Sequence, residues 1–170
     1  GARVTLISGP VTLPTPKEVN RIDVVSAQQM LDATLDNVGD ADIFIGVAAV
    51  ADYRPEDSAK EKIKKHADSM QLTLVKNPDI ISTVAKLADK PFVVGFAAET
   101  EKLIEHGKEK LQKKNLDLLF ANNATETFNS DAVAVTVISA DGEQAIKPGS
   151  KQTVARLLLQ EIAQRLPAAK

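Results

Sequence analysis

Residues 41–53 read ADIFIGVAAVADY. The first seven form a nearly unbroken apolar run, the pattern of a strand buried on both faces in a parallel sheet covered by helices. Bulk then falls away through Gly46, Ala48, Ala49 and Ala51 before Asp52 and Tyr53. Small side chains at a strand end let a ligand approach the backbone, so the stretch that argues for the fold also marks a place where the fold could work. Tight helix–sheet packing, with Asp52 as a helix or turn cap, is the alternative.

Working outward, runs rich in β-branched residues at 3–8, 22–25, 72–75, 92–96 and 116–121 read as further strands. Between them lie helix-period segments with recognisable starts. Ser26 and Gln29 make a capping-box pattern ahead of AQQMLDATLDNV, Asn77 or Asp79 starts IISTVAKLA, Thr100 precedes EKLIEHGKEKLQKK, and Ser150 precedes KQTVARLLLQEIAQRL. The stretch 132–147 instead alternates about Asp141 and Gly142, a hairpin signal. The expected fold is α/β: a three-layer, mostly parallel, doubly wound (Rossmann-like) sheet with a C-terminal β-hairpin extension, all in a single domain over residues 1–170.

A chain of 170 residues, 44% hydrophobic and 26% charged, can bury a core of its own, and no apolar run approaches the length that spans a bilayer. The absence of cysteine excludes disulfides and thiolate metal sites, and His66 and His106 alone cannot build a zinc centre and read as surface residues. A net charge of -2 offers no global field for nucleic acid, so any anion site must be local. With no leader-like segment at the start, a cytoplasmic protein is expected.

In a doubly wound sheet ligands sit outside the carboxyl ends of the strands, which places the loops beginning at Ser8, Gly46, Lys76, Phe96 and Asn122 around one crevice. Neither a G-x-G-x-x-G nor a P-loop is present. Three other elements could serve an anion there. KEKIKK carries Lys60, Lys62, Lys64 and Lys65 in a segment poor in apolar anchors, which suits a lid over a triphosphate or simply a solvated charged loop. KNPDII joins an X-Pro turn to a helix start, with backbone N–H groups available to a ligand or explained by the turn alone. Lys110 and Lys114 stand four apart near a helix C-terminus, able to hold an anion or to complement the helix dipole.

Taken in order, SGPVTLPTP, AAVADYRP, EKIKK, LVKNPDII, VVGFAAET, KKNLDLLFAN and FNSD resemble phosphopantothenoylcysteine synthetase, the phosphopantothenate–cysteine ligase of coenzyme A biosynthesis, over essentially the whole chain. The resemblance implies a cytoplasmic, homodimeric enzyme that uses CTP and Mg2+. It would activate the carboxylate of 4'-phosphopantothenate as an acyl-cytidylate with loss of pyrophosphate, and cysteine would then displace CMP. Carried onto this chain, the family's nucleotide contacts fall on Gly46, Val47, Ala48, Asp52, Pro78, Asp79, Ile80, Ile81, Phe96, Lys110 and Lys114, with Lys62 as the catalytic lid lysine. The choice of CTP over ATP rests on the resemblance alone.

The bacterial enzyme is commonly fused to a flavin-dependent phosphopantothenoylcysteine decarboxylase. The family's opening strand, glycine turn and SSG-bearing helix start have no counterpart ahead of Gly1, so an N-terminally incomplete domain of low turnover is expected. Ala132 and Val133 stand where the family pattern places an asparagine. A non-catalytic nucleotide-binding or dimerisation module is the alternative from another class, and a nicotinamide-dependent oxidoreductase is disfavoured by the missing glycine fingerprint.

Overall fold

The longest apolar runs of the sequence pair with one another. The computed structural model describes residues 1–57, 59, 61–64, 69–99, 101–123 and 132–166, which divide into two compact units, Gly1–Asn37 with Ala48–Ile80 and Val38–Val47 with Ile81–Lys170. In chain order the elements are β1 (Val4–Ser8), β2 (Val19–Asp23), α1 (Ala27–Val38), β3 (Ile43–Gly46), β4 (Tyr53–Pro55), β5 (Leu74–Lys76), α2 (Ile80–Val84), β6 (Phe92–Glu99), α3 (Leu103–Lys113), β7 (Leu118–Asn123), β8 (Ala132–Ser139), β9 (Gly142–Ser150) and α4 (Lys151–Arg165).

The second unit is built on a five-stranded sheet in the order β3-β6-β7-β8-β9. Its first two pairings are parallel and its last two antiparallel. Alternate residues of one strand leave by opposite faces, and β7 follows this closely. Leu119 and Ala121 join Val84, Val93, Leu111 and Ile138 on the side of α2 and α3, whereas Leu118 and Phe120 join Val94, Val137, Val154, Leu158 and Ile162 on the side of α4. The unit is therefore a three-layer sandwich with a core on each face of the sheet. Gly107 sets the approach of α3, since a Cβ there would lie 2.3 Å from Ile138 Cδ1.

Polar groups close the ends of these elements. The Asp117 carboxylate accepts from the Val93 N–H at 2.7 Å and pairs with Lys90 at 2.8 Å, tying the starts of β6 and β7. Ser150 caps α4 as read from the sequence, its Oγ accepting from the Thr153 N–H at 3.2 Å. The hairpin turns at Gly142, whose φ of 138° suits glycine.

The first unit holds shorter pieces. β1 and β2 pair in parallel, Val4 opposite Val19, and β4 and β5 pair antiparallel, Tyr53 opposite Lys76. The capping box of α1 forms in both directions, Ser26 Oγ accepting from the Gln29 N–H and Gln29 Oε1 from the Ser26 N–H. Arg21 donates to the Leu13 carbonyl and to Asp23, holding the proline-bearing loop after β1.

Several expectations are corrected. The single, mostly parallel sheet is, among the described residues, one mixed sheet and two separate strand pairs. The strand expected at 22–25 is β2 at Val19–Asp23, because Val25 donates its N–H to Gln29 Oε1 and so belongs to the helix cap. The strand expected at 72–75 is not buried on both faces: β5 pairs antiparallel with β4, a strand not expected at 53–55, and Leu72 and Leu74 are exposed. α2 is one short helix of five residues rather than nine, and the chain leaves it where the Asn115 amide donates to the Ala85 carbonyl. α3 starts after Lys102, whose φ of 49° is left-handed and whose side chain makes no cap; Thr100 lies outside the described residues.

Candidate functional site

The sequence-predicted residues divide between the two units. In the second, β3 ends at Gly46, in register with Gly95 of β6. Ile81 of α2 lies over both: a Cβ would come within 3.0 Å of its Cδ1 at Gly46 and 3.2 Å at Gly95. On this side the two glycines serve close helix–sheet packing, the alternative role read for the small residues at this strand end. Val47, next in the chain, is exposed.

Phe96 follows Gly95 and leaves by the opposite face, where its ring meets Phe120 edge to face at 5.2 Å and 72°. Its half-buried position leaves part of that ring accessible at the carboxyl end of the strand. β6 runs on to Glu99, whose carboxylate lies 3.7 Å from Lys110 Nζ and 3.6 Å from His106 Nδ1, both on α3. Lys114 closes that helix, its N–H donating to the Lys110 carbonyl. The two lysines thus share a final turn beside a strand end, with Lys110 facing an acid that sequence reasoning did not single out.

In the first unit the chain leaves Ala48 through a tight turn, the Val50 N–H donating to the Ala48 carbonyl at 3.0 Å, and reaches Asp52 just before β4. Asp52 is exposed, and its main-chain carbonyl accepts from the Asn77 N–H at 2.8 Å. Asn77 does not start α2 with its side chain. Its amide nitrogen donates to the Ala51 carbonyl at 2.8 Å, and its amide oxygen accepts from Arg54 Nη1 at 3.2 Å. The same Arg54 nitrogen donates to the Lys76 carbonyl at 2.8 Å. The segment carrying Asp52 is thereby brought together with the turn at Pro78 and Asp79, which leads into the buried Ile80.

Lys62 is exposed, in irregular chain. Its neighbours Lys60, Lys65 and His66 lie outside the described residues, as does FNSD at 128–131, while His106 is exposed. Among the described residues no group of three or more carboxylate or imidazole side chains could hold a metal ion. Nor is any helix among them long and apolar enough to cross a membrane.

Sequence reasoning gave Asn77 only as a possible helix start and did not single out Arg54, although their side chains join these segments. The available signal was Pro78, since a residue before proline is held extended; an extended Asn reaches across to a neighbouring strand rather than back over a helix start.

With this arrangement in hand, comparison with known proteins is decisive. Residues 1–166 match the model of the DNA/pantothenate metabolism flavoprotein C-terminal domain. The chain belongs to this family. It is 49% identical to the Coenzyme A biosynthesis bifunctional protein CoaBC of Vibrio vulnificus, over 95% of the chain and 42% of that protein. It is 48% identical to the protein of the same name from Escherichia coli K12, over 97% of the chain and 42% of that protein. The chain thus spans about two-fifths of the length of these curated relatives. A crystal structure of the C-terminal domain of Coenzyme A biosynthesis bifunctional protein CoaBC superposes with a TM-score of 0.81 at 35% identity, covering 98% of this chain and 76% of that one. The family resemblance read from the sequence is borne out, and so is the α/β class, now as a mixed sheet with flanking helices.

Proposed function

We propose that this chain is the ligase domain of a bifunctional coenzyme A biosynthesis protein, joining 4'-phosphopantothenate to cysteine at the expense of CTP. The observation that carries the reading is the match of nearly the whole chain, at nearly half identity, to proteins named for coenzyme A biosynthesis. A carboxylate is a poor acyl donor. Attack of its oxygen on the α-phosphorus of CTP forms an acyl-cytidylate and expels pyrophosphate; the amine of cysteine then attacks the acyl carbon, the C–O bond to CMP breaks, and the amine proton passes to solvent.

In this reading the backbone at Gly46, Val47 and Ala48, the turn Pro78, Asp79, Ile80 and Ile81, and the accessible part of the Phe96 ring contact the nucleotide, with Asp52 as a polar acceptor. Lys110 and Lys114 face its phosphates. Lys62 neutralises charge that develops at the reacting phosphate, the kind of electrostatic assistance worth most in a water-poor site. Mg2+ keeps much of its coordination from waters and substrate phosphates in nucleotide enzymes. In this reading the ion is carried in by the triphosphate.

A single domain over residues 1–170, a doubly wound order of its parallel strands, a homodimer, a cytoplasmic location and fusion to a flavin-dependent decarboxylase complete the proposal. The test is calorimetric titration of CTP, ATP and NAD into the full-length protein, with pyrophosphate release measured in the presence of phosphopantothenate and cysteine. CTP-dependent release is expected. Preference for NAD, or binding of CTP with no release, would overturn the ligase reading.

A further inference from the structure

We infer that Asn77 and Arg54 are positioning residues for the nucleotide: they hold the Asp52 segment and the Pro78–Asp79 turn in one fixed relation without touching the ligand themselves. The inference rests on the proposed role of those two segments in binding CTP, and it adds residues to which no such role has been given.

β4 and β5 are three residues each, and nearly every side chain in them is exposed. A two-stranded ribbon of that length is marginal in water. Its ladder ends at Tyr53 opposite Lys76, one residue short of Asp52 and two short of Pro78. Beyond that point Asn77 and Arg54 continue the link between the two chain segments. The Asn77 N–H takes the Asp52 carbonyl, the Asn77 amide nitrogen takes the Ala51 carbonyl, and Arg54 takes the Lys76 carbonyl together with the Asn77 amide oxygen.

Each contact joins one candidate segment to the other. Pro78 adds a fixed φ and restricts Asn77 to extended backbone, so the amide is presented across the ribbon. The guanidinium, which bonds a main-chain carbonyl and the amide oxygen at once, orients the amide so that its nitrogen faces Ala51. Hydrogen bonds of this kind contribute modestly to stability when exposed to solvent, but displacement of a binding group by about an ångström is enough to cost a large part of its effect. Stability and binding should therefore respond unequally to the loss of these two side chains.

The experiment uses the full-length protein and compares Asn77→Ala, Asn77→Asp and Arg54→Ala with Asp52→Asn. CTP affinity is read by calorimetry, KM for CTP and for cysteine by pyrophosphate release, and Tm by thermal unfolding. Asn77→Asp retains an acceptor for Arg54 while removing the donor to Ala51, so it isolates the clasp should Asn77→Ala fail to fold. The expected result for the Asn77 variants is CTP affinity weakened by up to about tenfold, with KM for CTP raised in step, KM for cysteine unchanged and Tm within a few degrees; loss of the hydrogen bond to Ala51, common to both variants, sets that scale. The Arg54→Ala and Asn77→Ala effects should be less than additive, because one side chain orients the other. If Asp52→Asn weakens CTP and the Asn77 variants do not, the positioning role is overturned while the binding reading survives. If neither Asp52→Asn nor the Asn77 variants change CTP affinity, the assignment of this region to the nucleotide falls, and the inference with it.

Discussion

In the second unit Val93, Val94, Leu118 and Leu119 are fully buried, and the eight-residue β6 carries apolar side chains into the core on each face. In the first unit Leu13 is 73% exposed and Val25 80%, strands run to three or five residues, and polar contacts such as Arg21 to Leu13 and Arg54 to Lys76 hold the loops. The contrast assigns different work to the two regions. Apolar burial of this density supplies most of the stability of a fold, whereas short segments held by exposed hydrogen bonds open at low cost and are where binding loops are drawn from. Mutations in the second unit should read out first as stability, and mutations in the first as binding or rate.

The largest expected effect is on the stability side. Leu118→Ala should lower unfolding free energy by about 2–5 kcal/mol in urea titration, with CTP affinity of the folded protein kept within about twofold. A large loss of affinity at unchanged stability would break the division of labour. Lys62→Ala, in the other unit, should slow acyl-cytidylate formation by about 10²-fold, roughly 2.7 kcal/mol of barrier, with Tm unchanged; normal turnover in single-turnover assays would remove the lid role.

Smaller effects sharpen the same line. Asp52→Asn should weaken CTP by about tenfold and leave Tm within a few degrees; a fall in Tm at constant affinity would make Asp52 a structural residue of the β4 ribbon. Ser150→Ala should cost about 1 kcal/mol through loss of the α4 cap, visible in denaturant unfolding and silent in CTP titration. A change in nucleotide affinity there would break the division between the two units.

Local chemistry was legible wherever it is complete within a few residues. Ser26 and Gln29 satisfy each other's backbone, Ser150 satisfies Thr153, and the Asp141-Gly142 pair turns the hairpin; these need no distant partner. The buried strands were legible too, because burial on both faces demands near-continuous apolar residues. Asn77 shows the opposite case. Its sequence neighbourhood suits a helix start, yet its amide meets Ala51, 26 positions away, and such a competition between local and distant acceptors is settled only once β4 and β5 are paired.

By itself, then, the order of residues determined the α/β class, the caps of α1 and α4, the hairpin and the family, because periodicity, capping and motif order are properties of neighbours along the chain. Tertiary structure alone decided that β5 pairs antiparallel with β4, that Ile81 packs over Gly46 and Gly95, that Glu99 stands beside Lys110, and that Asn77 and Arg54 clasp the Asp52 segment. Each of those depends on which groups meet across long stretches of chain, where hydrogen-bond donors and apolar surfaces have several chemically equivalent partners and only the packed arrangement selects among them.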